Sequence, residues 1–422
     1  MIGEEEPDLE AWEMGLRGRM HRMGAMVLEQ VLNAEGGGYQ RSRQPCANGH
    51  EAVFVERRSK QVLTVLGPVT VERAYYHCSS CQAGMIPRDD ALDIMGSGFS
   101  PGVRRMMSRV GSKQSFEKGR QDLKELAELE VTAKQVERIS EQMGQQAKSW
   151  QAPPWQPSGS DKLVLLKSIS KLYIAYDGTG VPVVPRESEG RAGKQTPQAK
   201  TREAKLGCVF TQTTLDQQGQ PLRDENSTSY VGAIETAEAF GLRIYAEAAR
   251  RGLEHAQRVI VLGDGAPWIW RIADEHFPGA IQIVDLYHAR QHLTELAKLV
   301  MGATGKAWAE ARCRELDAGK VEALLGVLMR LKPSQSDLQG AVDKAIHYFQ
   351  INADRMRYAQ FRRQGLFVGS GVVEAGCKTI AGQRLKQSGM HWTVPGANAI
   401  IALRCLDLSN QWEDFWESRR VS

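Results

Sequence analysis

The sequence predicts a multidomain α/β chain, and three observations carry that prediction. Apolar runs of strand character end in an acid beside glycine at Lys171–Asp177 and again at Arg258–Asp264. From about residue 170 onward such runs alternate with segments of helical periodicity, the rhythm of a sheet covered by helices. A stretch with three prolines, Trp150-Gln-Ala-Pro-Pro-Trp-Gln-Pro-Ser-Gly-Ser160, separates this region from an N-terminal part of different character.

The 422 residues are 42% apolar and 25% charged, ordinary values for a soluble globular chain of about two to three domains. Lys and Arg number 54 against 50 Asp and Glu, a net charge of +4 that permits nucleic-acid binding without arguing for it. No run approaches the roughly 18 apolar residues of a membrane span. The acidic start, Met1–Pro7, lacks the basic and apolar regions of a signal peptide. Of seven cysteines, three cluster with a histidine and Cys208, Cys313, Cys377 and Cys405 are scattered. That is metal-site usage in a reducing compartment, so a cytoplasmic location is expected.

Taken in order, residues 1–40 are read as an N-terminal helix, with Leu9, Trp12, Leu16, Met20, Met23 and Val27 at helical spacing and Glu35-Gly-Gly-Gly-Tyr39 ending it. Arg17, Arg19 and Arg22 read as a solvated face. Residues 41–90 form a zinc-ribbon-like segment. Cys46-Ala-Asn-Gly-His50 and Cys78-Ser-Ser-Cys81 flank strand-like segments at 52–57, 61–66 and 69–76, with Gly67-Pro68 as a turn. Two knuckles of two ligands each on hairpin strands can enclose a tetrahedral Zn2+ through Cys46, His50, Cys78 and Cys81. His77 is the poorer ligand, and the alternative is a small metal-free hairpin.

Residues 95–149 read as a helical DNA-binding region. Two amphipathic segments, 115–126 and 132–143, are joined by a short connection, with Thr132 as N-cap of the second. This suits a helix-turn-helix whose second helix offers Lys134, Gln135 and Arg138 to a groove, while a plain helical hairpin is the alternative. Residues 150–160 are the linker.

Beyond the linker, Gly178 and Gly180 are expected to turn the chain after Asp177, so that Val181–Val184 pairs back as a hairpin partner. Arg186–Lys205 reads as a basic loop, Lys205–Leu215 as a strand and Ile234–Arg251 as a helix. The Asp264 strand, a helix at Pro267–His276 and a strand at Ala280–Val284 follow, ending in Asp285-Leu-Tyr-His288. Residues 289–364 are a helical insertion. Gly369-Ser-Gly-Val-Val-Glu-Ala-Gly376 then opens a helix, and Arg384-Leu-Lys-Gln-Ser-Gly-Met-His-Trp392 precedes a closing helix.

This order, with acids ending the first and fourth strands, is that of a ribonuclease-H-like core, here formed by residues 161–288 and 365–422. Its first and central strands are adjacent, so Asp177 and Asp264 can share a metal, with Glu374 as the third ligand. Such carboxylates suit two Mg2+ or Mn2+ ions about 4 Å apart. Taken singly, each acid is also an ordinary turn former or cap. Asp285 is a rival third ligand, and His288 a candidate for orienting a metal-bound group. Arg384 and Lys386 are candidates for phosphate contacts. Trp268, Trp270 and Trp392 are either stacking surfaces for flipped bases or core aromatics.

Together, Tyr-Asp-Gly-Thr-Gly, Gly-Asp-Gly-Ala-Pro-Trp-Ile-Trp, Val-Asp-Leu-Tyr-His and Gly-Ser-Gly-Val-Val-Glu-Ala resemble the DDE transposases of bacterial insertion sequences, closest to the mutator-related Kra-type branch. The resemblance runs from the zinc-ribbon-like segment through Arg404. It implies Asp177, Asp264 and Glu374 as the metal-binding triad, a helical insertion before the last acid, and a DxxH element at Asp285 and His288. It also implies double-stranded DNA as partner, both as terminal inverted repeats and as target. One departure is the first knuckle, where Cys46 and His50 stand in place of two cysteines. The expected protein is a nucleoid-associated DNA transposase, at least dimeric on DNA. The alternatives are a catalytically silent DNA-binding protein and a structure-specific nuclease on the same core.

Overall fold

The computed structural model describes residues 8–34, 36–150, 169–193, 199–333 and 335–419. The linker beyond Trp150 and the centre of the basic loop, residues 194–198, lie outside them. The chain divides into two compact units, Met1–Gln146 with Asp414–Ser422, and Ala147–Glu413.

The first unit begins with α1 (Leu9–Asn33), capped by Asp8, whose carboxylate accepts from the Ala11 amide at 3.0 Å. A four-stranded antiparallel sheet follows in sequential order: β1 (Arg43–Pro45), β2 (Glu51–Thr64), β3 (Gly67–Cys78) and β4 (Ala83–Met85). The segments expected at 52–57 and 61–66 are one strand, bulged between Phe54 and Glu56. The hairpin turn is Val65-Leu66, not Gly67-Pro68, which already pairs with Thr64 and Leu63. The alternating side of β2 and β3 supplies Val62, Val69 and Val71, which pack with Ile94 against Ala25, Leu28 and Leu32 of α1.

After α2 (Pro87–Ala91) come α3 (Pro101–Lys113), α4 (Phe116–Ala127) and α5 (Ala133–Ser149). Ser100 and Ser115 cap the first two. Thr132 and Gln135 form a reciprocal capping box on α5: Thr132 Oγ1 accepts from the Gln135 amide at 3.2 Å, and Gln135 Oε1 accepts from the Thr132 amide at 2.8 Å. A Cβ at Gly111 of α3 would lie 2.1 Å from Ser140 Oγ, so glycine is what lets α3 and α5 approach this closely.

The second unit is built on a five-stranded mixed sheet. Its strands are β5 (Ile169–Pro182) and β6 (Thr201–Gln212), then β9 (Ser229–Ala233) after the small hairpin β7 (Thr214–Leu215) and β8 (Pro221–Leu222). Helix α6 (Ala237–Arg250) leads to β10 (Ala256–Gly263), and α7 (Pro267–His276) to β11 (Ile281–Val284). The spatial order is β11-β10-β5-β6-β9; the first three run parallel and β6 is antiparallel to both neighbours. Two expectations fail here. Gly178 and Gly180 do not turn the chain, because β5 stays paired with β6 from Lys171 to Pro182. Val181–Val184 is therefore no separate hairpin arm, and Asp177 sits inside a long strand. The third strand, β9, falls after the polar segment 216–228, where the sequence reading placed none.

Helices α8 (Leu286–Met301), α9 (Gly305–Asp317), α10 (Val321–Met329), α11 (Ser336–Ile351) and α12 (Tyr358–Arg363) occupy the region expected to be helical. Helix α13 (Gly371–Cys377) continues through a π-helical turn, Lys378–Gly382, into α14 (Gln383–Leu385). The buried α15 (Val394–Leu408) packs against β9, and α16 (Trp412–Glu417) ends the described chain.

Candidate metal centres and active site

In the first unit, Cys46, His50, Cys78 and Cys81 converge. Their donor atoms all lie within 4.8 Å of one another, the only such group of three or more metal-binding side chains among the described residues. Cys46 Sγ is 3.7 Å from Cys81 Sγ, and His50 Nδ1 is 3.0 Å from the same sulfur. A tetrahedral zinc site with Zn–S bonds of about 2.3 Å has sulfur–sulfur edges of about 3.8 Å, so the donor set and spacing suit Zn2+. The first knuckle is closed by the Gly49 amide donating to Cys46 O at 2.9 Å and the Cys46 amide donating to His50 O at 2.7 Å. The Asn48 amide holds the Cys46 thiol below its usual value, which favours the ligating thiolate. His77, paired with Val53 and Gly84 in the sheet, is outside the cluster.

In the second unit, β5 and β10 are parallel neighbours with Ala175 opposite Leu262, so Asp177 and Asp264 stand two residues further at the same level. Burial, then the Asp264 charge, push the Asp177 carboxyl above the usual range. The Gly178 amide donates to Asp177 Oδ1 at 2.6 Å and the Ala266 amide to Asp264 Oδ1 at 2.8 Å. Tyr348 of the helical insertion donates its hydroxyl to Asp264 O at 3.0 Å, and a Cβ at Gly265 (φ +101°) would come 2.7 Å from that ring.

Helix α13 packs on β5 and β6, and the buried Cys377 thiol lies beside the Asp177 carboxylate. Glu374 is three residues before Cys377, on the same side of the helix. Its side chain is exposed, with Ser370 Oγ donating to Oε1 at 3.2 Å. Asp177 and Asp264 thus stand at one end of the sheet, and the ligand atoms of the three acids do not all lie within 4.8 Å of one another as those of the Cys/His group do.

Asp285 caps α8 with one carboxylate oxygen and reaches α13 with the other. It is fully buried; Oδ1 accepts from the His288 amide at 2.6 Å as the cap of α8, and Oδ2 accepts from the Ser370 amide. Through these two bonds Asp285 joins the start of α8 to the start of α13. His288 lies near Asp177, and its Nε2 is 3.2 Å from Nε2 of His292, whose ring packs on Tyr348 at 4.2 Å between centroids. Sequence reasoning missed Cys377, His292 and Tyr348. Only His292 carried a signal, its four-residue spacing from His288.

The expected nucleic-acid contacts divide. Lys134 and Arg138 are exposed on α5, Lys134 paired with Glu137 at 2.8 Å, whereas Gln135 is engaged in the capping box. Lys386 is exposed and donates to Thr179 Oγ1 at 2.6 Å, two residues from Asp177. Arg384 is not a surface cation. It is fully buried over the Trp392 ring at 4.9 Å, and burial lowers its pKa to about 10. The tryptophans are core residues in large part: Trp270 Nε1 donates to Asn352 Oδ1 at 2.9 Å, Trp392 Nε1 to Leu385 O at 3.0 Å, and the half-buried Trp268 packs on Tyr176 and Phe240.

Residues 8–413 match the profile of the uncharacterised protein family UPF0236. The chain belongs to that family. No curated protein matches it. Among solved structures, the Drosophila P element transposase strand transfer complex is similar at 10% identity, with a TM-score of 0.25 over 79% of this chain and 85% of that one. A score that low carries no argument about fold or function. Among the described residues, no helix is long and apolar enough to cross a membrane.

Proposed function

We propose that this member of UPF0236 is a DNA transposase that binds the inverted repeats of an insertion sequence and cuts and joins DNA strands at Asp177, Asp264 and Glu374. The observation that carries the reading is that Asp177 on β5 and Asp264 just beyond β10 continue the parallel register set by Ala175 and Leu262, with Cys377 of the Glu374 helix beside Asp177. The strand order and directions support it, since a five-stranded sheet in which only the second strand in sequence, β6, runs opposite to the rest is the ribonuclease-H-like plan. The quoted motifs, with their likeness to the Kra-type insertion-sequence transposases, point the same way.

The donor set fits Mg2+ or Mn2+: Asp177, Asp264 and Glu374 offer hard carboxylate oxygens, and Asp177, raised by burial and then by the Asp264 charge, is a carboxyl that a cation would return to its charged form. Bound divalent ions would supply activation of the attacking water or 3′-hydroxyl and neutralisation of the leaving oxygen. The protein's own part is positioning. Asp285 fixes the start of α13, and Tyr348 and the Ala266 amide fix the Asp264 segment. Lys386, beside Thr179, is placed to meet a phosphate; exposed Lys134 and Arg138 offer α5 to element ends, and the Cys/His group would stiffen the β-hairpin region by binding zinc.

The test uses labelled DNA carrying the sequence that flanks the gene, where imperfect inverted repeats are expected, incubated with Mg2+ or Mn2+. Wild type should nick and join strands, and Asp264→Asn and Glu374→Gln should each lose at least about 100-fold in rate while still binding DNA. Cleavage without joining would favour a nuclease. The separation of the Glu374 carboxylate from the aspartates favours, as a second reading, a silent DNA-binding protein; a folded, DNA-bound wild type that never cuts would establish it.

A further inference from the structure

Helix α1 has two apolar faces. One holds Ala25, Leu28 and Leu32 against the sheet, and is fixed by Asn33 to Thr70 O at 2.8 Å and by the Thr70 amide to Glu29 at 2.7 Å. The other lies about 140° away at 100° per residue. On it Leu9, Trp12 and Leu16 recur eleven residues on as Met20, Met23 and Val27, and Val31 begins a third round. Eleven residues in three turns is 3.67 per turn, so the stripe stays on one side of a nearly straight helix about 37 Å long. Of the charged residues only Glu13 falls within its arc, level with Val31 around the helix axis. Yet each of its seven side chains is 54–65% exposed.

We infer that this stripe pairs with the same stripe of a second copy, making α1 the dimerisation helix of the protein. The area decides in favour of that occupant. Seven large apolar side chains at about 100 Å² each offer roughly 700 Å² per copy, close to the ~800 Å² per partner that a stable interface buries. A single stripe used twice around a twofold axis is self-complementary and needs no other chain. The inference is independent of the proposed catalytic role.

Light scattering on the full chain at about 20 μM, with its zinc, tests it. The expected wild-type mass is twice 46.8 kDa. Leu16→Lys with Met23→Lys should give 46.8 kDa, at least a ~100-fold weaker association, with unchanged circular dichroism and zinc content. Leu242→Lys, an equally exposed apolar residue of the other unit, should leave the dimer intact. A monomeric wild type, or a double variant that stays dimeric, would overturn the proposal. So would a monomeric wild type that floats with phosphatidylglycerol vesicles through this stripe.

Discussion

Asp285 shows how one buried carboxylate can join the starts of two helices. Replacing it by Ala leaves the His288 and Ser370 amides without their acceptor, and should cost about 2–4 kcal/mol by urea unfolding, with Asp285→Asn losing roughly half as much. His292 makes a second prediction. Burial, then the neighbouring His288, hold its pKa below the ordinary value, with Glu295 and Asp264 pulling more weakly the other way. The folded chain therefore resists a proton that the unfolded chain takes up near pH 6.5. The stabilising contribution is full above that pH and is lost as pH falls through the lowered value. His292→Phe keeps a ring against Tyr348, so its melting temperature should fall less than that of wild type between pH 7.5 and 5. At this scale Asp177 and Asp264 were legible because an acid after an apolar run is unusual. Cys377 was not, since nothing in a lone cysteine tells that a neighbouring strand will bring an aspartate to it.

At the scale of elements, the hairpin of β2 and β3 brings together two knuckles some thirty residues apart in sequence, and their spacing was readable because thiolates in pairs have few other uses. Elemental analysis should find one zinc per chain, and Cys81→Ser should lose it and melt the first unit several degrees earlier, with Cys208→Ser as a neutral reference for metal content. The helices were legible largely through apolar periodicity, with Thr132 as the one cap read from sequence; in the structure Ser100, Ser115, Thr236 and Thr393 also each accept from the amide three residues on. Errors came where a local signal met a tertiary one. Gly178 and Gly180 look like a turn, but continuous pairing with β6 keeps them in a strand. Five-residue β9 has too few alternating residues to stand out, and only its place beside β6 makes it a strand.

At the scale of the molecule, the sequence reading placed its main boundary at the prolines, close to where the two units divide, but it assigned residues 365–422 wholly to the sheet unit. The last residues instead belong to the first unit. Arg419 pairs with Asp93 at 2.9 Å, bonds Gln146 and covers the rings of the buried Phe415 and Trp416. No periodicity could reveal such a return, because it depends on where the chain arrives after crossing the other unit. Trp416→Ala should cost about 3–5 kcal/mol and speed amide exchange in α3 and α5, while leaving the β5–β10 core protected.

That return sets an order on synthesis. Residues 93 and 146 leave the ribosome early, yet their partner is made 273 positions after the second of them. At 5–20 residues per second the first unit waits roughly 15–50 s, incomplete, while the sheet unit is already being assembled. The part of the chain made first is thus the part whose folding closes last, and a fusion placed directly after Arg419 would be felt at the opposite end of the sequence.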